Sequence, residues 1–204
     1  MAWEANKFSK RRDNAPEAAL LTRMQELCRE AEGIWQEIQK NPEFRLFVAA
    51  DYEMVFQSLY RLRNRAVTFL EWGSGLGVVT IMASNLGFEA YGIEVETRLV
   101  DLARGLAGKY GPKAQFANAS FIPHDYRWRP RYDGENLHMI CDGESGYDEL
   151  DMELRDFDVV YAYPWPDEHD LYRDIMRQCG RRNSLLLTYD AHEGMSLKRR
   201  TPRR

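Results

Sequence analysis

A chain of 204 residues suits one domain of ordinary size, or one domain with a small helical appendage. Hydrophobic residues make up 44% and aromatics 12%, which excludes a disordered chain. The net charge of −4 excludes a strongly basic nucleic-acid-coating protein, and no apolar run approaches the roughly 20 residues of a membrane span.

Residues 1–13 read as a polar, basic arm. Asn14-Ala15-Pro16-Glu17 predicts a helix start, with Asn14 as cap, Pro16 in the first turn and Glu17 placed as in a capping box. Leu20, Met24, Leu27, Ala31, Ile34, Trp35 and Ile38 then follow three and four apart, one apolar helix face to about Lys40. Asn41-Pro42 breaks it, and Phe44, Phe47, Val48, Tyr52, Val55, Leu59 and Leu62 predict a second helix to about Asn64. At Ala66 the pattern changes. Val67–Trp72 reads as a buried strand, 73–77 as a glycine turn, Val78–Leu86 as a helix stopped by Gly87, and Glu89–Glu94 as a second strand. Thr97–Tyr110 is a helix and Ala114–Ala117 a short strand.

Residues 118–146 are rich in turn formers, with one strand at Leu137–Cys141. Tyr147–Arg155 reads as helix, Asp158–Tyr163 as strand, Asp167–Cys179 as helix closed by Gly180, and Ser184–Asp190 as the final strand. Strands alternating with helices predict an α/β fold with a doubly wound, mostly parallel sheet. The division expected is an arm and helical pair over 1–64, the sheet domain over 65–192 and a basic tail over 193–204.

Charge is uneven along the chain. The last seven residues, Lys198 to Arg204, carry five basic groups, while ten acids lie between Asp133 and Asp158 with Arg155 their single Lys or Arg neighbour. Such runs suit solvated faces, or else an acidic rim for a cationic partner and a tail that touches phosphate. Cys28, Cys141 and Cys179 are odd in number and form no CxxC, so the expectation is a reduced, cytoplasmic compartment and no metal site. His124, His138 and His192 lack metal-ligand spacing. The first residues contain no apolar run of signal-peptide type.

Ligands of doubly wound sheets bind beyond the carboxyl ends of the strands. Phe69-Leu70-Glu71-Trp72-Gly73-Ser74-Gly75-Leu76-Gly77 lies at such an edge, and a glycine turn there lets backbone approach a ligand closely. A nicotinamide-type G-x-G-x-x-G would need glycine at 78, where Val78 stands, which disfavours a dehydrogenase. The spacing is instead G-x-G-x-G, with Glu71 two residues before it and Glu94 ending the second strand.

That pattern resembles motif I of the class I S-adenosylmethionine-dependent methyltransferases. The resemblance implies that Gly73, Ser74, Gly75 and Gly77 line the cofactor's methionine and ribose portions and that Glu71 faces its ammonium. It further implies that Glu94 accepts from the ribose hydroxyls and that Val95 packs on the adenine. Relatives often carry an acid after the third strand for the adenine amino group. Here Phe116-Ala117-Asn118-Ala119-Ser120 has none, leaving Asn118 or Ser120 to accept, with Phe121 or Ile122 covering the ring. The full family sheet has two more strands, so this one is expected to be shortened after the fifth, its edge exposed or covered by the N-terminal helices or a second subunit.

In the family the loop after the fourth strand faces the transferred methyl. Here it runs Ala162-Tyr163-Pro164-Trp165-Pro166-Asp167-Glu168. It is similar to the [DNS]-P-P-[YFW] loop of amino-group N-methyltransferases at Pro164 and Trp165, but Ala162 replaces the acid or amide. It is also similar to the loop of tRNA guanine-7 methyltransferases at Pro164, Trp165 and Pro166. Tyr163, Trp165 and Asp167 are the catalytic candidates: Trp165 for stacking, Tyr163 for a hydrogen bond, Asp167 as base or anchor. Glu168 and His169 are further candidates, although acids in a first helical turn also serve the dipole. The activity implied is methyl transfer to a small-molecule or protein acceptor, with RNA a lesser choice through the basic termini. The competing reading is a non-catalytic S-adenosylmethionine- or nucleoside-binding module.

Overall fold

Apolar residues three and four apart wind Ala18–Ile38 into α1, which buries Leu21, Met24, Leu27, Ala31 and Ile38 along one stripe. The computed structural model describes residues 16–40, 49–128 and 143–200. Glu17 immediately precedes α1 and makes no side-chain cap bond, while the expected cap Asn14 lies outside the described residues. The next helix, α2 (Tyr52–Leu62), begins later than its apolar pattern suggests. Residues 49 and 50 are not helical, and the Asp51 carboxylate caps the helix by accepting the Met54 N–H at 3.0 Å. Phe44, Phe47 and Val48 lie outside the described residues.

The sheet is built from β1 (Thr68–Trp72), β2 (Glu89–Glu94), β3 (Gln115–Asn118), β4 (Val159–Ala162), β5 (Leu185–Asp190) and β6 (Gly194–Arg199). Between them run α3 (Val78–Asn85), α4 (Thr97–Tyr110), α5 (Gly146–Glu149) and α6 (His169–Cys179). The strand order is β3-β2-β1-β4-β5-β6, with the first five parallel and β6 antiparallel to β5. This is the doubly wound, mostly parallel sheet that the alternation predicts, with the order reversing at β1.

Strand alternation sends Phe69, Val159, Tyr161 and Leu187 to one face, packed with buried residues of α1 through α4. Leu70, Trp72, Ile93, Val160, Ala162 and Leu186 go to the other, packed with Tyr147, Phe157 and α6. Each fully buried Phe or Leu contributes about 1.5–3 kcal/mol relative to exposure. The N-terminal helices thus share one core with the sheet. Polar ties add to this: the Tyr110 hydroxyl donates to Glu30 at 2.7 Å, and Lys109 pairs with the same carboxylate. Among the described residues no helix is long and apolar enough to cross a membrane.

Two expectations are corrected. Residues 194–199 are not part of a loose tail. They form β6, so the edge beyond β5 is taken by a strand of this chain. The turn that returns the chain is set by Asp190, whose carboxylate accepts the N–H groups of His192 and Glu193, each at 2.8 Å, and by Gly194 at φ +78°. Nor is Tyr147–Arg155 one helix. Asp151 adopts φ +51° after the single turn of α5, and a short 3₁₀ turn, Leu154–Asp156, follows. The strand expected at 137–141 lies outside the described residues.

Candidate functional site

The carboxyl ends of β1, β2, β3, β4 and β5 deliver Trp72, Glu94, Asn118, Ala162 and Asp190 to one edge of the sheet. The glycine turn starts there. Gly73 and Ser74 both donate their N–H to the Ile93 carbonyl, at 2.9 and 3.0 Å, which fastens the turn to β2. Gly77 sits at φ +70°, and a Cβ on it would lie 2.5 Å from the Phe116 ring, so no other residue fits. Gly73 also has positive φ, +67°, but a Cβ there would meet no described atom within 4 Å. The first glycine therefore borders open space and the last one packs the turn against α4 and β3. The Ser74 hydroxyl is buried beside them with no hydrogen-bond partner among the described residues.

The two acids of the motif have different surroundings. Glu71 is 5% exposed, and one carboxylate oxygen accepts the Thr80 N–H at 2.8 Å and the Thr80 hydroxyl at 2.6 Å. Thr80 is in the first turn of α3, so Glu71 caps that helix from β1. Burial pushes its carboxyl up to about 8 despite those bonds. Glu94 is half-buried, accepting the Gly75 N–H at 2.9 Å on one oxygen and the Glu96 N–H at 3.0 Å on the other. Burial raises its pKa as well. A carboxylate offers about four lone-pair sites, so acceptor capacity remains for two hydroxyls.

The adenine-end candidates are engaged within the protein. Asn118 donates its side-chain N–H groups to the carbonyls of Glu94 and Val95, and its Oδ1 accepts from Thr97 at 2.7 Å. The Ser120 hydroxyl accepts the Ile122 N–H at 3.2 Å. Val95 is half-buried at the end of β2. An acid does reach this corner, from a place no local pattern marks: Glu149 of α5 accepts the Asn118 N–H at 2.8 Å and pairs with Arg104.

Around the β4 loop, Tyr163 is half-buried and packs edge-on against Tyr189 of β5, ring centroids 4.9 Å apart. Trp165 is half-buried and its carbonyl accepts the Glu168 N–H, while Asp167 is exposed. Glu168 is buried at the start of α6. His169 lies 3.6 Å from the Asp190 carboxylate. Asp190 is held below its usual pKa chiefly by the turn N–H groups it accepts. The sequence names His169 but not Asp190, because only the register of β5 beside β4 brings them together.

No protein-family model and no curated protein sequence matches the chain. Solved structures do. An O-methyltransferase from Bacillus cereus, in complex with S-adenosylhomocysteine, superposes with a TM-score of 0.51 over 91% of this chain and 72% of that one, at 12% identity. An RNA methyltransferase from Salinibacter ruber, also with S-adenosylhomocysteine, covers 74% of this chain and 92% of its own, with a TM-score of 0.49 and 16% identity. A caffeoyl-CoA O-methyltransferase-like protein from Staphylococcus aureus covers 81% and 71%, with a TM-score of 0.48 and 11% identity. The fold is the class I, Rossmann-like methyltransferase fold.

Proposed function

We propose that the protein is an S-adenosylmethionine-dependent methyltransferase. The observation that carries this reading is the unit at the switch point: Glu71, the glycine turn bordering open space at Gly73, and the Glu94 carboxylate held by the Gly75 N–H. The remaining acceptor capacity of Glu94 fits a ligand that carries hydroxyl donors. When bound, S-adenosylmethionine supplies an electrophilic methyl group on a sulfonium.

In this reading the turn from Gly73 to Gly77 admits the ligand close to backbone, and Glu94 takes the ribose hydroxyls. Val95 lies against the adenine, and Glu71 faces the ammonium, directly or through water. Asn118 and Ser120 shape the adenine end, since both are already hydrogen-bonded inside the protein. Tyr163, Trp165 and Asp167 border the acceptor, which is a small molecule or protein in preference to RNA. Aligning the nucleophile and taking its proton are the tasks left to these residues.

Calorimetry tests this reading. S-adenosylmethionine should bind and NAD should not; an intact, folded protein that binds neither overturns it. The alternative, a non-catalytic binding module, draws on Ala162, a fully buried alanine where amino-group methyltransferases carry an acid or amide. Cofactor binding without turnover over a broad acceptor panel would favour that alternative.

A further inference from the structure

The basic run that ends the sequence has no part in the site described above, and the fold gives it a place. Strand β6 runs antiparallel to β5 and pairs Arg199 with Leu185, the first residue of β5, so it ends at the amino-terminal pole of the sheet. The glycine turn lies at the other pole, about 17 Å away along the length of β1. Lys198 and Arg199 are exposed, and Arg200 is anchored by its guanidinium, which donates to the Arg177 carbonyl in the last turn of α6 at 2.9 Å.

Other segments bring further cations to the same pole. Arg181 and Arg182 lie between α6 and β5, where the Asn183 N–H donates to the Arg200 carbonyl at 3.2 Å. Arg65 stands three residues before the start of β1. Asp158, just before β4, ties these segments together: its carboxylate accepts the Val67 N–H at 2.7 Å and the Thr68 N–H at 3.2 Å, and it pairs with Arg181. The neighbouring acids are engaged or distant. Glu153 pairs with Arg155, the Asp156 carboxylate accepts the Glu153 N–H at 2.8 Å, and Glu89 opens β2, on the side of β1 away from β5 and β6. Arg65, Arg182, Lys198 and Arg199 are all exposed and make no ion pair with a described residue.

In a chain of net charge −4, positive charge is thus concentrated at one end. From β1 to β6 is three strand spacings, about 14 Å, so these four cations can meet successive phosphates of one strand. Three of the four are arginines, whose planar forks match phosphate oxygens in pairs. Val67, 58% exposed beside Asp158, offers an apolar surface that an unpaired base can cover and a duplex, its bases stacked inside, cannot. We infer that the amino-terminal pole of the sheet binds the phosphodiester backbone of a single-stranded nucleic acid through Arg65, Arg182, Lys198 and Arg199. The strand is docked there and is not the methyl acceptor, because the glycine turn is at the opposite pole.

Fluorescence anisotropy of a labelled twelve-residue oligouridylate and its oligothymidylate counterpart tests this on the full chain, in NaCl from about 50 to 200 mM. Affinity should fall with a log–log slope of about −3, as about 0.7 per phosphate gives for four contacts. Arg65→Gln and Arg182→Gln should each make the slope shallower by about 0.7, while Arg65→Lys and Arg182→Lys keep it. Arg29→Gln, an equal charge change at an exposed position of α1, should leave it unchanged. Either oligonucleotide bound with these slopes supports the inference, and the tighter of the two names the strand. No binding of either overturns it. Unchanged slopes in both Gln variants also overturn it, since binding would then belong to the terminal basic segments alone. So does polyglutamate of equal length bound as tightly, which would make the partner an acidic protein. Displacement of the strand by saturating S-adenosylhomocysteine overturns it as well, because the strand would then lie at the glycine turn.

Discussion

The carboxylate of Glu71 on β1 accepts both hydrogens that Thr80 on α3 can offer, the amide at 2.8 Å and the hydroxyl at 2.6 Å. One contact thus fixes the glycine turn between them at both ends. Thr80→Val deletes the hydroxyl bond and leaves a buried carboxylate oxygen one partner short. Urea unfolding should show a loss of about 1–3 kcal/mol.

The same carboxyl gives stability a pH dependence. In the folded chain it is pushed up to about 8, chiefly by burial, against an ordinary 4.5. Between those values the folded state binds a proton that the unfolded state has released. The stabilisation from Glu71 is complete below about pH 4.5 and is lost as pH rises through about 8, with a slope of at most about 1.4 kcal/mol per pH unit. Glu71→Gln removes this slope. Relative to the parent chain, the variant should gain stability steadily between pH 5 and pH 8 in parallel urea titrations; a constant difference would mean that Glu71 is ionised throughout.

Gly73 and Gly77 share a backbone region but should respond differently to alanine. Gly77→Ala adds a Cβ 2.5 Å from Phe116 and 2.9 Å from Ala103 to the cost of positive φ, and should destabilise by about 3 kcal/mol or more. Gly73→Ala meets no described atom, so only the backbone cost of about 1–2 kcal/mol applies. Its larger effect should be on S-adenosylmethionine affinity, since the methyl group projects beside the open space. Thermal melts and calorimetry on the two variants separate these effects.

Glu94→Ala removes a carboxylate that is proposed to take charge-assisted bonds from two ribose hydroxyls. Affinity for S-adenosylmethionine should fall by about 1.5–3 kcal/mol. Unchanged affinity would place the ribose elsewhere.

Trp72 donates its indole N–H to the buried Tyr147 hydroxyl at 2.8 Å and stacks on Phe121 at 5.1 Å. Trp72→Phe keeps an aromatic ring but strands that hydroxyl, and should cost about 2–4 kcal/mol. Adding Tyr147→Phe should restore about 1 kcal/mol, because no polar group is then left unpaired. A double-mutant cycle reads this directly.

The legible part of the chain is where local pattern and tertiary role agree. From β1 through α4 the strand, glycine turn, helix, strand and helix follow the reading closely, because Glu71, Gly73, Gly77 and Glu94 act within about one supersecondary unit. Other features fail for identifiable reasons. β6 has only Met195 and Leu197 as apolar alternates, beside Gly194, Ser196, Lys198 and Arg199, and an edge strand needs no more, since Lys and Arg there discourage further pairing. Asp190 and Glu149 acquire their partners through register and crossover, which spacing along the chain does not encode. Tyr163 and Tyr189 belong to separate segments of the chain, and their ring contact emerges only when β4 and β5 are laid side by side.

Met54 of α2 rests against Gly194 at the turn into β6, so residues some 140 positions apart are neighbours. In chain order β6 follows the other five strands of the sheet. Strands β1 through β5 can pair before β6 is added, but the start of α2 then lacks its contact with the sheet edge. The contact between α2 and β6, of long sequence separation, therefore closes after the sheet around the glycine turn is in place.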